Sequence, residues 1–372
     1  MSKRKNKTAA HPGFDYVLLA SVLGLSAIGL IMVLSSSSLM AEKFWSNKYY
    51  FFEKQVVFTL LGLLVMSFFM YFPVRLLTRL KYVWLILVFA LLILSVVSPW
   101  QVESGGASRW VSLGGVGLQP LEAAKAGLVI YLAYFFANKQ HLVKTFSVGF
   151  LPPSVITGAM CVLLLLQPDF GGAVFLAGLL FFMSLIGGTR LMYLFPAAVL
   201  AVATGTAMII NSPYRFKRWF VFLDPFKDPS DSGYQLVQSL YGLGAGGVWG
   251  RGLGEGRQKL FFLPEAHNDF ILAVLGEELG FIGISIVFLL LGLWMWRAFK
   301  ISLDQDELEK RFLGCGLGLV VTLAALLNMA VVLGAVPPKG VAMPFISYGG
   351  SSLLISFFCA GVLLNLSRRK RC

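Results

Sequence analysis

The longest weakly apolar segment of the sequence is Asn211–Gly283, and its chemistry centres on Leu263-Pro-Glu-Ala-His-Asn-Asp-Phe270. Asp269 lies where this stretch ends and an apolar helix is predicted to begin. The start of a helix stabilises an ionised carboxylate, and an ionised, accessible carboxylate can act as a general base. The alternative is that Asp269 only caps the helix. His267 can hydrogen-bond a ligand, although its loop position by itself is typical of a surface histidine.

Four further polar sets interrupt the apolar sequence: Gly105-Gly-Ala-Ser-Arg-Trp110, Gln119-Pro-Leu-Glu-Ala-Ala-Lys125, Gln167-Pro-Asp-Phe-Gly171 and Gly276-Glu-Glu-Leu-Gly280. Ionisable residues inside or beside apolar spans are costly and are functional by default. In the second set Pro120 opens a predicted helix, which places Glu122 and Lys125 at i and i+3 on one face. The two side chains either contact a ligand or form only a mutual salt bridge that makes burial tolerable.

The other sets also have two interpretations each. The first is a predicted turn-rich loop that holds Arg109 beside an amphipathic aromatic residue. In the third, Asp169 follows a proline between two half-spans, where it can cap the second half-span as well as contact a ligand. In the fourth, Glu277 lies about 80° around the helix from Asp269, which favours it as the acid of a pocket, whereas Glu278 is predicted to pair with a neighbouring helix. The lysines of the polar stretch are expected to be solvated and paired with its acids: Lys217, Lys227 and Lys259.

The composition defines the scaffold that must position these residues. Of the 372 residues, 57% are hydrophobic and 13% charged, which is typical of an integral membrane protein rather than a soluble globular one. A span needs about 20 apolar residues. We predict an all-α bundle of ten transmembrane helices, with spans at Phe14–Leu34, Phe52–Phe72, Tyr82–Val97, Leu118–Ala137, Pro153–Leu166, Phe170–Ile186, Leu191–Ile210, Phe270–Trp296, Phe312–Leu333 and Ser351–Leu366.

An even number of spans places both termini on one side, and the positive-inside rule selects the cytoplasm. With that orientation the whole net charge of +13 lies on the cytoplasmic side. We predict a basic cytoplasmic tail at 1–13, one membrane domain at 14–366 and a second basic tail at 367–372. A large extracytoplasmic loop, about 211–269, joins helices 7 and 8. Topology and anionic lipid explain the basic excess, so nucleic-acid binding is not expected.

Eight motifs, in the same order along nearly the whole chain, resemble the SEDS family of bacterial cell-wall proteins (FtsW, RodA and SpoVE). Gly233-Tyr-Gln, Lys259 and the Gly-Leu-Gly at 252–254 are more similar to FtsW or SpoVE than to RodA. Asn268 departs from the usual Thr, and Leu121 replaces a small residue. The eight motifs are Gly106-Ala-Ser-Arg-Trp110, Gln119-Pro-Leu-Glu-Ala-Ala-Lys125, Gln167-Pro-Asp-Phe-Gly171, Phe222-Leu-Asp-Pro225, Gly233-Tyr-Gln-Leu-Val-Gln-Ser239, Leu263-Pro-Glu-Ala-His-Asn-Asp-Phe270, Gly276-Glu-Glu-Leu-Gly280 and Pro344-Phe-Ile-Ser-Tyr-Gly-Gly-Ser-Ser352.

The resemblance implies a peptidoglycan glycosyltransferase that polymerises lipid II at the outer leaflet during cell division and releases undecaprenyl diphosphate. Asp269 is then the candidate catalytic base. The basic residues are candidates for binding the diphosphates, and the acidic residues are candidates for positioning those basic residues or a metal ion. Trp110 is a candidate for stacking on a sugar or for lying at the membrane interface. The candidate substrate-binding residues are Arg109, Trp110, Glu122, Lys125, Asp169, Arg215, Arg218, His267 and Glu277.

A divalent cation, Mg²⁺ or Mn²⁺, suits chemistry on two diphosphates; Asp269, Asp169 and Glu122 are candidate ligands without diagnostic spacing. The Gly-rich run Gly242–Gly256 lacks the phosphate-loop signature, so no nucleotide cofactor is expected. The implied partners are a class B penicillin-binding protein (a transpeptidase) and other division proteins, and the implied location is the plasma membrane at the septum.

Two functions of other classes remain as alternatives. A lipid II flippase predicts charged residues in the cytoplasmic half of the spans, whereas here they concentrate in the outer half. A non-catalytic scaffold of the division machinery predicts that neutralising Asp269 is tolerated.

Overall fold

A computed structural model describes residues 13–97, 101–104, 107–113, 116–229 and 233–368. Most of both predicted basic tails, and Gly105 and Gly106 of the first polar set, lie outside the described residues. Thirteen α-helices occur within the described ranges: α1 Tyr16–Trp45, α2 Tyr50–Tyr71, α3 Val74–Arg79, α4 Lys81–Val97, α5 Pro120–Asn138, α6 Leu151–Leu166, α7 Phe170–Gly187, α8 Leu191–Ile210, α9 Pro213–Leu223, α10 Tyr234–Gly246, α11 Ile271–Leu303, α12 Leu308–Val332 and α13 Gly350–Ser367.

Nine helices in the described part of the chain are long and apolar enough to cross a membrane, and the shorter apolar helix α4 supplies a tenth. Each coincides with one predicted span, so the predicted ten-helix, all-α membrane bundle is confirmed. The span ends differ most for α1 and α11, which have 30 and 33 residues and extend beyond the apolar stretches.

The bundle has a buried centre and an exposed periphery. In α5, 78% of the apolar window is buried by other helices, whereas in α8 the share is 6%. Helices α12 and α13 pack with α5 at the centre. The polar residues at the start of α5 therefore lie inside the protein, and α8 presents nearly its whole surface to lipid.

A small antiparallel sheet replaces the predicted turn-rich loop between α4 and α5. Its strands are β1 Gln101–Ser104, β2 Ala107–Leu113 and β3 Val116–Leu118, in the order β1-β2-β3. Val102 pairs with Trp110, and Val111 pairs with Leu118. The loop prediction was wrong because the glycine pairs at 105–106 and 114–115 separate short stretches that each contain one valine, a residue type that favours strands.

The large loop between α8 and α11 is mostly structured. It contains α9, a short 3₁₀ turn at Pro225–Lys227, α10, and a π-helical turn at Gln258–Phe262. Helix α10 packs against α11 at two glycines, since the Gly276 carbonyl lies directly against the position that a Cβ on Gly246 would occupy. Small residues permit this close approach of two helices.

Helix α11 is broken at Gly280, which has φ 65° and ψ −163°. The loop Gly247–Gly256 docks against the break. Its backbone makes hydrogen bonds across the break, with Gly252 N donating to the Glu278 carbonyl (3.0 Å) and Phe281 N donating to the Gly247 carbonyl (2.9 Å). Gly280 has no substitute here because its φ is positive and the Gly250 backbone occupies the space of a Cβ.

Candidate active site

Asp269 is held by its backbone at the entrance to α11. Its carbonyl accepts a hydrogen bond from Asn328 Nδ2 of α12 (2.8 Å), and the same amide group donates to the Val341 carbonyl (2.7 Å). The preceding carbonyl, of Asn268, accepts from Ser347 Oγ (2.6 Å). The residue at the N-cap of α11 is Phe270, so Asp269 is not the N-cap residue. The side chain of Asp269 is half-buried. Hydrogen bonds to its own carbonyl and to the preceding carbonyl hold its backbone in place.

The loop between α12 and α13 contacts both the Asp269 segment and the Gln167–Gly171 segment. Its contacts are made by two consecutive residues, Gly340 and Lys339. A Cβ placed on Gly340 would lie 3.1 Å from Asp269 Oδ2, so the carboxylate rests against this glycine. Lys339 lies on the other side, with its Cδ 3.6 Å from a Cβ placed on Gly171 and its Nζ 5.5 Å from the centre of the Phe170 ring. Burial lowers the pKa of Lys339, and the charge of Asp169 opposes that shift.

Asp169 is the N-cap of α7, as its position predicted. Its Oδ1 accepts a hydrogen bond from Gly172 N (3.0 Å), and the residue is buried. The cap fixes the carboxylate, and Lys339 brings an opposite charge close to it.

Glu122 and Lys125 form an ion pair of 2.6 Å in the first turn of α5, and both side chains are almost completely buried. Lys125 Nζ also lies 4.5 Å from the centre of the Phe175 ring of α7. Leu121 packs against Gly172, where an added Cβ would be 2.9 Å from its Cδ2. The start of α5 and the start of α7 are therefore in contact, which brings the ion pair to the same region as Asp169.

The chain matches a family of known proteins over nearly its whole length. The family described as cell cycle protein (FtsW/RodA/SpoVE) matches residues 16–372. The chain belongs to this family. It is 43% identical over 354 residues to a probable peptidoglycan glycosyltransferase FtsW of Trichlorobacter lovleyi, covering 95% of this chain and 93% of the relative. It is 35% identical over 360 residues to the stage V sporulation protein E of Bacillus subtilis, covering 96% and 98%.

Solved structures of the family have the same fold. A chain from a study of polymerisation and crosslinking by a peptidoglycan synthase complex matches with a TM-score of 0.79 at 30% identity, covering 95% of this chain and 98% of the other. RodA of Thermus thermophilus matches with a TM-score of 0.69 at 25% identity, covering 95% and 97%.

His267 does not lie on the surface of this FtsW/RodA/SpoVE protein, so the surface-histidine interpretation was wrong. It is 5% exposed, and its ring packs against Phe51 (centroids 4.6 Å apart) and Tyr348 (5.7 Å). Burial lowers the pKa of His267, although the charge of Glu265 opposes the shift. Its carbonyl accepts from Tyr348 N (3.0 Å), which adds a third bond that holds the Asp269 segment.

Glu277 makes its contacts with the backbone of the preceding turn. Its Oε1 accepts from Arg257 N (2.9 Å), its Oε2 accepts from Gln258 N (3.0 Å), and Arg251 Nη1 lies 3.5 Å away. These contacts account for its burial without a ligand. In the structure, Glu277 anchors the π-helical turn that leads to Asp269. This anchoring is an alternative to its predicted role as the acid of a pocket.

Glu278 and Lys259 form a buried ion pair, which corrects the expectation that Lys259 is solvated. The Nζ–Oε1 distance is 2.8 Å, and the side chains are 0% and 7% exposed. Ser35 Oγ of α1 donates to Glu278 (2.7 Å), and Gly254 N donates to Glu278 Oε2 (3.1 Å). Glu278 thus pairs with a neighbouring helix, as predicted, and with the loop as well.

We expect Glu278→Gln and Lys259→Met each to destabilise the protein by about 3–5 kcal/mol, because each change leaves a buried charge without its partner. The double variant should lose less than the sum of the two, since it leaves no charge unpaired. Thermal unfolding in detergent measures this. Lys310→Met is the matched control, because Lys310 and Glu307 are also a close pair (2.7 Å) but an exposed one. Additive losses in the double variant would show that the pair does not act as a unit.

The remaining candidates lie in the sheet and in the loop between α8 and α11. Trp110 is half-buried in β2, and its ring lies over Gly117, where an added Cβ would be 3.4 Å from Cε3. Arg109 lies in β2, and Arg215 and Arg218 lie in α9, but their side chains are outside the described part of the structure. Lys227 is exposed and pairs with Asp224 (3.1 Å), as expected for a solvated lysine.

The donor set does not fit a resident divalent cation. Within the described ranges, no three Asp, Glu, His or Cys residues gather closely enough to hold a metal ion. Glu122 is already paired with Lys125, and Asp169 caps α7. Asp269, Asp169 and Glu122 therefore form no common ligand set, and the mechanism is derived from the side chains alone.

Sequence reasoning missed Lys339 and Gly340. The signal was present, because Lys339 is the sole charged residue between Arg311 and Arg368. A single charge between two apolar spans is costly and indicates function. Its partner could not be inferred, because Asp169 lies 170 residues earlier in the chain.

We expect Lys339→Met to lower lipid II polymerisation roughly ten- to a hundredfold, which corresponds to the loss of one hydrogen bond to a charged group. Methionine keeps the alkyl packing against Phe170 and Gly171 and removes only the charge. Lys227→Met, at an exposed lysine of the loop between α8 and α11, is the control. A parent-like rate for Lys339→Met, with unchanged unfolding temperature, would exclude Lys339 from the site.

Proposed function

We propose that the protein is a peptidoglycan glycosyltransferase that polymerises lipid II at the outer leaflet and releases undecaprenyl diphosphate. The observation that carries the proposal is the position of two consecutive residues, Lys339 and Gly340. Lys339 lies near Asp169, and Gly340 contacts the Asp269 carboxylate. Transfer from a diphosphate donor requires a base and a cation close together, and this contact places Lys339 next to the residue that touches Asp269. The similarity to relatives named as probable peptidoglycan glycosyltransferases supports the same reaction.

In the proposed mechanism, the hydroxyl oxygen of the acceptor sugar attacks the anomeric carbon of the donor in a single inverting displacement. The new carbon–oxygen bond forms as the bond to the diphosphate breaks, and undecaprenyl diphosphate leaves with the electron pair. Asp269 accepts the proton of the attacking hydroxyl. Lys339 and Lys125, with Arg109, Arg215 and Arg218, stabilise the charge on the diphosphates.

The acids of the site position its cations. Asp169 holds Lys339 near α7, and Glu122 holds Lys125 within hydrogen-bond distance. A cation that is already fixed needs no reorganisation when charge develops on the leaving group, which is the source of electrostatic stabilisation of a transition state.

Purified protein incubated with fluorescent lipid II tests the function, with the glycan strands resolved on a gel. We expect strands from the protein, and more of them with a class B penicillin-binding protein present. Lipid II that crosses vesicle membranes without strand formation would instead identify a flippase. No strands and no transport with either preparation would identify a scaffold.

We further propose that both termini are cytoplasmic, that the 211–269 loop is outside, and that the protein acts with a transpeptidase and other division proteins at the septum. The related chain in the peptidoglycan synthase complex supports a partner of that kind.

Lys227→Cys tests the orientation, in a chain whose native cysteines are replaced by alanine, because Lys227 is exposed in the loop. We expect this variant to react with an impermeant maleimide in intact cells. Lys144→Cys, at an exposed lysine between α5 and α6, should react only after lysis. Protection of the Lys227→Cys variant in intact cells would overturn the orientation.

A further inference from the structure

The outer end of α1 and the start of α2 carry an aromatic ridge, which we define as Phe44, Trp45, Tyr49 and Tyr50. Trp45 and Tyr50 are stacked, with ring centroids 5.1 Å apart and planes inclined by 14°. Trp45 is 44% exposed and Tyr49 is 43% exposed. The ridge therefore presents flat ring surfaces to the outside.

The ridge lies beyond the hydrocarbon core of the bilayer. Helix α1 has 30 residues and is about 45 Å long, against a core of about 30 Å. The residues around the rings are polar and exposed, and they include acids as well as bases: Glu42, Lys43, Ser46, Lys48, Glu53 and Lys54. Hydrocarbon cannot accommodate such a sequence, so these rings lie at or beyond the membrane–water interface.

Ring contacts and hydrogen bonds connect the ridge to the segment of Asp269. Tyr50 packs on Phe51 (5.2 Å), and Phe51 packs on His267 (4.6 Å), two residues before Asp269. In parallel, Gln55 Nε2 of α2 donates to the Ser347 carbonyl (3.2 Å), and Ser347 Oγ donates to the Asn268 carbonyl. The ridge is therefore connected to the Asp269 segment through the buried side chains of Phe51 and His267.

We propose that the aromatic ridge binds the growing glycan strand, a β-linked amino-sugar polymer, next to the Asp269 site. This inference rests on the proposed function. The C–H faces of β-linked sugars pack flat on aromatic rings, whose faces carry partial negative charge. Tyrosine and tryptophan also provide a large rigid surface at little cost in conformational entropy.

The cations of the ridge suit the same occupant. Lys54 Nζ lies 4.1 Å from the centre of the Tyr50 ring and donates to its hydroxyl (2.6 Å), and Lys48 Nζ lies 5.0 Å from the centre of the Tyr49 ring. The peptide substituents of a glycan strand carry carboxylates. A ridge of rings edged by lysines is therefore complementary both to the sugar faces and to the acidic substituents.

A strand that is held between additions grows longer before it dissociates. We therefore expect Trp45→Ala to shorten the mean glycan strand about fivefold, through faster dissociation, while the rate of the first coupling stays near that of the parent. Strand length is read from a gel at equal consumption of lipid II, and first coupling from the initial rate at which the lipid-linked dimer of lipid II forms. Trp45→Phe keeps a ring and should give strands of nearly parent length.

Trp249→Ala is the matched control, because Trp249 is an exposed tryptophan (82%) of the outer loop far from the ridge in sequence. Parent-length strands from Trp45→Ala would overturn the proposal, as would equal shortening by Trp249→Ala or by Trp45→Phe. A slower first coupling with unchanged length would also overturn it, because it would show that Trp45 only positions the Asp269 segment. If Trp45→Ala does not fold, Tyr49→Ala takes its place with the same expected result.

Binding of chitohexaose to the purified protein separates this inference from the proposed function. Weaker binding by Trp45→Ala than by the parent supports the ridge even if no strands form, in which case only the proposed function fails. Strand formation without any effect of Trp45→Ala on length or on chitohexaose binding leaves the function in place and overturns the ridge.

Discussion

Asp269→Asn is expected to lower glycan synthesis by about 10²–10⁴-fold, the usual contribution of a general base, while lipid II binding changes little. Asparagine has the shape of aspartate but cannot accept the proton. The fold should persist because backbone groups hold the segment: the Asp269 carbonyl accepts from Asn328, and the Asn268 carbonyl accepts from Ser347. The measurement is the initial rate of polymerisation at saturating lipid II. A titration of lipid II binding with the same preparation is measured for comparison.

Asp224→Asn provides the control for that change, because Asp224 is also an aspartate of the loop between α8 and α11 but pairs with exposed Lys227. It should polymerise at the parent rate. If Asp269→Asn also polymerises at close to the parent rate, Asp269 is not the base. A purely structural aspartate would lower the amount of folded protein and leave its turnover unchanged.

Lys125→Ala is expected to abolish most polymerisation and to cost about 3–5 kcal/mol of stability, because it leaves Glu122 buried without its partner. The pair is 2.6 Å apart and nearly inaccessible, so solvent cannot replace the lysine. Lys227→Ala, at a lysine that is 82% exposed, should change neither quantity. The control cannot be Lys259, which the structure places in a second buried pair.

A double variant separates the catalytic and structural roles of that pair. Glu122→Gln with Lys125→Met removes both charges and keeps the volumes, so the protein should regain most of its stability. If the lysine serves the diphosphates, polymerisation stays lost in the stable double variant. Recovery of polymerisation together with stability would show that the pair is only structural.

The features that sequence predicted correctly depend on near neighbours in the chain. The spans follow from hydropathy, the Glu122–Lys125 pair from its i,i+3 spacing after Pro120, and the Asp169 cap from its place before α7. The features that were missed depend on distant contacts. Lys259 is buried because Ser35 of α1 and Glu278 of α11 meet around it.

The candidate site shows the same division. Asp269 could be selected from its position at a loop-to-helix junction. The sequence could not predict that Asp269 contacts Gly340 or that Lys339 lies near Asp169. The loop between α12 and α13 meets the starts of α7 and α11 only in the folded bundle. His267 was placed on the surface for the same reason, since its neighbours Phe51 and Tyr348 are far away in sequence.

The central claim, that Asp269 accepts the proton of the attacking hydroxyl, is tested most directly by the pH dependence of single-turnover polymerisation. For the parent we predict a rate that rises about tenfold per pH unit at low pH, as the essential carboxylate ionises, and then levels. For Asp269→Asn we predict a small residual rate without that rise. The same acidic limb in Asp269→Asn would place the base on another residue and contradict the account.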